Sequence, residues 1–317
     1  MTRDPAMEGI GELDPSRHEG LLRTAPEKYS ELAQTVTAFG ICQLDRDGRI
    51  KTWNPGAANL TGYAAGEVVD QPWSMLFTAR AQLDGVPQKA ITFTRANRHC
   101  RDEHAWRRKS GEEFTALATL DAVRGDGGEL LGFVCAFHDI TEQKQLERRL
   151  YQSATRDGLT GVFNRGHFTE LAAQELERAR RFAEPLSIVL IDVDHFRKIN
   201  DGHGHEAGDR VLVRVARACE EFVRKIDVVG RLGGEEFGLL LPRANKEPAF
   251  EMAQRLRLKL AEARVPADGR DIAFTVSMGM ATLRSNTRDL AELLRNADAA
   301  MYRAKREGRN RVEVWFE

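Results

Sequence analysis

An apolar run that ends in two aspartates constrains this chain most. Leu186-Ser187-Ile188-Val189-Leu190-Ile191 is nearly all apolar, which predicts a central strand covered on both faces. It runs directly into Asp192-Val193-Asp194. Carboxylates at the end of a buried strand are costly to desolvate, and a hard divalent cation is the usual reason for them. Capping of a following helix by Asp194 is the other reading. Farther along, Arg231-Leu232-Gly233-Gly234-Glu235-Glu236-Phe237 reads as a strand, a two-residue Gly-Gly turn and a returning strand, because glycine adopts positive φ without steric cost. Side chains alternate along a strand, so Glu235 and Glu236 point to opposite faces and one of them can join Asp192 around a metal.

The elements around this pair alternate. Helices are predicted over 167–182, 206–223, 248–263 and 290–306. Strands are predicted over 186–192, 227–232, 235–241, 272–277 and 311–315. Such alternation with one tight hairpin implies a mixed sheet flanked by helices. Residues 38–137 read differently, as short strands with turns between them. Strands 39–44 and 49–53 flank the turn Asp45-Arg46-Asp47-Gly48, and strands 113–122 and 130–137 flank Arg124-Gly125-Asp126-Gly127-Gly128. That pattern implies a small domain with an antiparallel sheet. Residues 141–154 are charged and free of Gly and Pro, with Leu146 and Leu150 on one face and Thr141 placed to cap a helix. They form either a short coiled coil or a solvated linker helix. The fold class is α+β, divided into a flexible segment 1–26, a first domain 27–140, a connecting helix 141–156 and a second domain 157–317.

Composition removes several function classes. Among 317 residues, 47 Lys and Arg balance 48 Asp and Glu, so no general affinity for nucleic acid is expected and a polyanion must be held by local sites. Cys42, Cys100, Cys135 and Cys219 are scattered, which argues against a zinc site or a disulfide framework. The longest strongly apolar run is too short to span a bilayer, and the first residues lack the order of a signal peptide. A cytoplasmic protein without membrane insertion is the expectation.

Many blocks of the second domain resemble one family in the right order. Gly233-Gly234-Glu235-Glu236-Phe237 is similar to the signature of GGDEF-domain diguanylate cyclases in its GGEEF form. Asp157-Gly158-Leu159-Thr160-Gly161-Val162-Phe163-Asn164-Arg165 resembles the family's opening block, and Asp192 through Asp201 its DxDxFKxIND block. Gly204-His205-Glu206-Ala207-Gly208-Asp209, Val276 through Ala281, and Ala297 through Asn310 match further blocks. The resemblance implies a nucleotidyl-cyclase, palm-like fold that joins two GTP into cyclic di-GMP and releases pyrophosphate. It implies that Asp192, the carbonyl of Val193 and Glu235 hold Mg²⁺ or Mn²⁺. Asn200 and Asp209 are implied to recognise guanine and its ribose, and Lys305 and Arg309 to neutralise the triphosphate. Backbone amides of His195, Phe196 and Arg197 can cradle phosphate at a helix start. Glu235 is the expected catalytic group for loss of the 3′-hydroxyl proton, and a metal-bound hydroxide is the alternative. Arg197 stands where the family usually has Lys, and Gly166 where it usually has Arg.

Arg224-Lys225-Ile226-Asp227 matches the family's RxxD inhibitory site for the product, a surface ion pair being the other reading. Each second domain has one set of guanine and phosphate residues and the product holds two GMP units, which implies a homodimer. The first domain resembles a PAS domain, through Asp45 to Pro55, Thr61-Gly62-Tyr63, Arg107 to Phe114, and Asp139-Ile140-Thr141-Glu142. His99, His104 and His138 could ligate heme, surface or core positions being the other reading, and the ligand of this domain is left unassigned. Two other functions fit the same motifs: an inactive GGDEF domain acting as a cyclic di-GMP receptor, and an interaction protein built on PAS dimerisation.

Overall fold

The computed structural model describes residues 34–267 and 270–316. The expected flexible segment 1–26 lies outside the described residues, as does the start of the 27–140 domain. The described residues fall into two compact units divided between Glu147 and Arg148.

The first unit contains β1 (Gly40–Leu44), α1 (Pro55–Thr61), α2 (Ala65–Val68), a 3₁₀ turn (Trp73–Leu76), α3 (Ala79–Leu83), α4 (Val86–Asn97), β2 (His99–Arg107), β3 (Glu113–Arg124) and β4 (Leu130–Asp139). Its strands form one antiparallel sheet in the order β1-β4-β3-β2. The inward face is aromatic: Trp73, Phe77, Trp106, Phe133 and Phe137 are all buried. Trp106 packs on Phe137 at 4.7 Å between centroids and on Phe77 at 5.2 Å. The strand expected over 49–53 does not form. The Asp45 carboxylate takes the amides of Asp47 and Arg49, and the pairing with β1 is reduced to a bridge between Ile50 and Leu44 and a bond from the Lys51 amide to the Gln43 carbonyl, while Ile50 also exchanges backbone bonds with Asp70 and Gln71. Strand β2 was not expected from the sequence. It is an edge strand rich in exposed charge, so neither alternation nor β propensity marks it.

Helix α5 (Thr141–Thr155) follows β4. Thr141 does not cap it with its hydroxyl, which accepts from the Thr115 amide, while the Asp139 carboxylate takes the amide of Thr141. Leu146, Leu150 and Tyr151 are exposed along this helix.

The second unit continues with β5 (Phe163–Asn164), α6 (Arg165–Phe182), β6 (Leu186–Val193), α7 (Phe196–His203), α8 (His205–Phe222), β7 (Val228–Gly233), β8 (Glu236–Pro242) and α9 (Lys246–Glu262). It ends with β9 (Arg264–Ala267), β10 (Arg270–Ala273), β11 (Val276–Thr282), α10 (Leu290–Arg306) and β12 (Val312–Val314). Six strands form a mixed sheet in the order β12-β11-β6-β8-β7-β5, and β9 with β10 forms a separate ribbon. Every residue of β6 is buried. Its odd-numbered side chains, Val189, Ile191 and Val193, join a core with α8 and α9. Its even-numbered ones, Ile188 and Leu190, join Phe168, Leu176, Leu293 and Met301 of α6 and α10. Burying each such aliphatic side chain is worth about 1.5–3 kcal/mol, enough to hold the strand in place up to its costly acidic end.

The strand expected over 272–277 is broken in two at Phe274-Thr275. There the Thr275 carbonyl accepts from the Asp194 amide and the Thr275 hydroxyl donates to the Asp194 carboxylate, so the chain turns toward Asp194 and rejoins the sheet as β11.

Candidate active site

Strand β6 delivers Asp192 to the sheet end with its side chain on the even face, the side covered by α10. Asp192 is 6% exposed, and Lys305, in the last turn of α10, places its ammonium 2.7 Å from Oδ2. Burial pushes the Asp192 carboxyl above its ordinary value, Lys305 pulls it back, and Glu235 and Glu236 push it up again. Two further acidic side chains therefore act on Asp192 at this end of the sheet.

The Gly-Gly turn differs from the expectation by one residue. Gly233 ends β7 with φ 150°, the turn residues are Gly234 and Glu235, and a register irregularity lies between Arg231 and Gly233. Gly234 adopts φ 48°, a left-handed value that favours glycine. Glu235 thus sits on a turn and not within a strand. It is half-buried, Glu236 is exposed, and the Glu235 carbonyl accepts from the Val193 amide at 3.4 Å. That bond ties the acidic turn to the end of β6.

Asp194 is not a helix cap. His195, at φ 57°, occupies the position before α7, with no side-chain capping bond. The buried Asp194 carboxylate accepts instead from Thr275 Oγ1 at 2.6 Å, Ser277 Oγ at 2.6 Å and the Asn310 amide at 3.0 Å. It joins the end of β6 to β11 and to the loop carrying Arg309, which is exposed at φ 63°. A second anchor is Arg231. Its guanidinium donates to the Gly234 carbonyl at 2.9 and 2.7 Å and to Asp157 at 3.1 and 3.2 Å. Neither anchor was expected from sequence reasoning. The available signal was a pair of hydroxyl residues, Thr275 and Ser277, inside an otherwise apolar stretch.

The remaining expected residues lie on α7, α8 and the following loops. Phe196 is half-buried against the core, and Arg197 is exposed, 3.8 Å from Asp201. Asn200 has a buried Oδ1 with no hydrogen-bond partner. A side chain on Gly208 would put its Cβ 1.9 Å from that oxygen, so the glycine leaves room beside an unsatisfied acceptor. Asp209 follows on α8 and is exposed. The structure thus brings together Asp192, Glu235 and Lys305, and separately Asn200 with the residue before Asp209.

Arg224 and Asp227 lie apart from this site, at the junction of α8 and β7. Arg224 donates to Asp227 through Nη2 at 2.7 Å and Nε at 3.1 Å, and to the Pro242 carbonyl at 2.9 Å. In the first unit His99 pairs with Asp121 at 2.7 Å, His104 packs on Phe77 and His138 on Phe39. A groove of about 620 Å³ runs between α4 and β2, lined by Lys89, Phe93, Cys100 and His104 among others. No helix among the described residues is long and apolar enough to cross a membrane.

Comparison with known proteins agrees with this division. Residues 154–311 match the family described as diguanylate cyclase, GGDEF domain, and residues 38–142 match the PAS domain family. The chain is 43% identical over 179 residues to diguanylate cyclase DgcM of Escherichia coli K12, covering 56% of this chain and 43% of that protein. It is 33% identical over 295 residues to an uncharacterized signaling protein of Caulobacter vibrioides, covering 90% of this chain and 34% of the relative. The chain therefore spans less than half the length of these two relatives. Among solved structures it is similar to the coiled coil and GGDEF domain of DgcB from Caulobacter crescentus in complex with c-di-GMP, with 28% identity and a TM-score of 0.52 over 55% of this chain and 93% of that one. With its motif blocks, its mixed sheet and these matches, the chain belongs to the GGDEF family, as a PAS domain followed by a GGDEF domain.

Proposed function

We propose that this chain is a diguanylate cyclase that condenses two GTP into cyclic di-GMP. The carrying observation is the buried Asp192, balanced by Lys305 and facing the acidic turn at Glu235. A buried carboxylate needs a compensating positive charge, which Lys305 supplies here and which a divalent cation could supply in its place. The donors are two carboxylates and the carbonyl of Val193, all oxygen, which fits Mg²⁺ or Mn²⁺. Among the described residues no three His, Cys, Asp or Glu could enclose an ion by themselves. Bound there, a dication would neutralise charge on the phosphate being transferred and help to orient the triphosphate.

The chain's own residues do the rest. Asn200, with its unsatisfied carbonyl oxygen, and Asp209 take the guanine and ribose. The first amides of α7, from His195 to Arg197, together with Lys305 and Arg309, hold the triphosphate. Lys305 balances Asp192, and its ammonium would be free to pair with the phosphates where a dication took over that charge. A ribose 3′-oxygen attacks the α-phosphorus of the other GTP, the bond to the bridging oxygen breaks, pyrophosphate leaves, and Glu235 accepts the hydroxyl proton. Because each domain carries one such set, two copies must face each other across a two-fold axis. Helix α5, with Leu146 and Leu150 exposed, supplies the pairing surface, and the PAS domain supplies regulation from a location in the cytoplasm. Product binds at Arg224 and Asp227 and inhibits.

The test is incubation with GTP and Mg²⁺ followed by chromatography of the products, for the parent and Glu235→Gln. Cyclic di-GMP is expected from the parent, and a rate lower by orders of magnitude from the variant with unchanged circular dichroism. Parent-like turnover by the variant, or activity that survives EDTA, removes the metal assignment.

A further inference from the structure

The cavity beside Arg224 and Asp227 is lined by residues from outside that motif as well, Arg156 among them. It has a volume of about 240 Å³, and Arg156 lines it together with Phe163, Glu220, Arg224, Lys225 and Asp227. The charges around it are unequally available. Arg224 is already satisfied by Asp227 and the Pro242 carbonyl. Arg156 has no carboxylate partner among the described residues. Its guanidinium donates to the Gly161 carbonyl at 2.6 Å and lies over the Phe163 ring at 4.7 Å. A planar cation seated on one aromatic ring offers its second face for stacking, and a purine base is a matching partner. The volume is smaller than the roughly 300–1,000 Å³ of sites that enclose a whole drug-sized ligand, so it suits one base and its adjoining phosphate.

Arg156 is also where the connecting helix ends. Its amide donates to the Gln152 carbonyl at 2.8 Å, one residue beyond the last helical residue, Thr155. Its backbone bridges to Phe163, and Asn164 Nδ2 holds the Ala154 carbonyl at 2.8 Å.

We propose that Arg156 is a third recognition residue of this cavity, stacking on a guanine of bound cyclic di-GMP, so that occupancy clamps the last turn of α5 to the GGDEF domain. The inference rests on the reading of Arg224 and Asp227 as the product site. Product then acts on the segment that links sensor and cyclase as well as on the cyclase itself.

Calorimetry of the full chain with cyclic di-GMP tests this with Arg224→Ala, Arg156→Ala and Arg156→Lys, each checked by thermal melting. Amide hydrogen exchange over residues 150–156 is followed in parallel. Loss of a stacking partner predicts affinity lower by about tenfold or more in Arg156→Ala. Arg156→Lys keeps the charge without the plane, and is expected to bind more weakly than the parent and more tightly than Arg156→Ala. Product is expected to slow exchange over 150–156 in the parent and not in Arg156→Ala at saturating product. If Arg224→Ala loses binding while both Arg156 variants bind and protect like the parent, the inference is overturned and the product site stands. Parent-like binding by Arg224→Ala overturns the product site and the inference with it. Should Arg156→Ala fail to fold, Arg156→Lys decides: parent-like affinity and protection overturn the proposal, and weakened affinity with lost protection supports it.

Discussion

Replacing Lys305 by methionine removes the cation that sits on Asp192 while keeping an unbranched apolar stem. The ammonium lies 2.7 Å from Asp192 Oδ2. Unit charges at that distance attract by about 6 kcal/mol at an effective dielectric of 20. Much of this offsets the desolvation of a carboxylate that is 6% exposed. Deleting one partner of a fully buried pair costs about 3–5 kcal/mol. Because the Lys305 side chain is 31% exposed, screening lowers the expected loss to about 2 kcal/mol in EDTA. Urea unfolding of the GGDEF transition reads this directly. Metal binding without nucleotide should move the other way. A dication reaching Asp192 in Lys305→Met displaces no ammonium, so the dissociation constant for Mn²⁺, followed by calorimetry, should fall by about thirtyfold for ~2 kcal/mol. GTP affinity should drop, since a phosphate partner is gone. Equal stability in EDTA together with equal Mn²⁺ affinity in parent and variant would refute the reasoning. The pair would then carry no net energy, and the ammonium would not stand at the metal position.

Gly208→Ala should gain about 1 kcal/mol of helix propensity. Its Cβ would stand 1.9 Å from Asn200 Oδ1, however, so a rise in KM for GTP of tenfold or more is expected with little change in helical content, checked by steady-state kinetics and circular dichroism. Acid stability should depend on Asp157. Burial pushes its carboxyl up, but the Thr160 hydroxyl and amide and the Arg231 guanidinium together hold it below its ordinary value of 3.8. Since the folded state depresses this group, its contribution is present above the unfolded value and is lost as pH falls through the folded one. Denaturant midpoints of the parent should therefore drop below about pH 4, and Asp157→Asn should show a shallower drop there. A shortened chain starting at Ser153 should show specific activity that rises with enzyme concentration, while the full chain stays nearly flat, because tethering holds the partner domain at ~mM effective concentration. Light scattering together with activity against dilution checks this, and a full-length monomer with constant specific activity contradicts it.

The acidic end of β6 and the glycine turn were legible in the sequence because their pattern is local and strong. The unbroken run 186–191 could only be a doubly covered strand, and the structure buries all of it. The Gly-Gly signature announced a tight turn beside acids. Helix 290–306 was legible to the residue, since Asp289 accepts from the Glu292 amide and marks its start. Strand β2 was not legible, because an edge strand with charges on both faces resembles a loop in one dimension.

By itself, the sequence determined the order of a PAS and a GGDEF domain, the helices and strands around β6 and the residue types at its acidic end, because periodicity and turn chemistry act over a few neighbouring positions. Only the tertiary structure decided what those residues touch. It turned Asp194 from a helix cap into a buried anchor for Thr275, Ser277 and the Asn310 amide. It set Lys305 on Asp192, held the acidic turn through Arg231 and Asp157, and left the Asn200 oxygen unsatisfied beside Gly208. Each of these contacts except the last joins residues more than seventy positions apart or depends on such a pair. A buried polar group must find whatever donor or acceptor the packed sheet and helices bring to it.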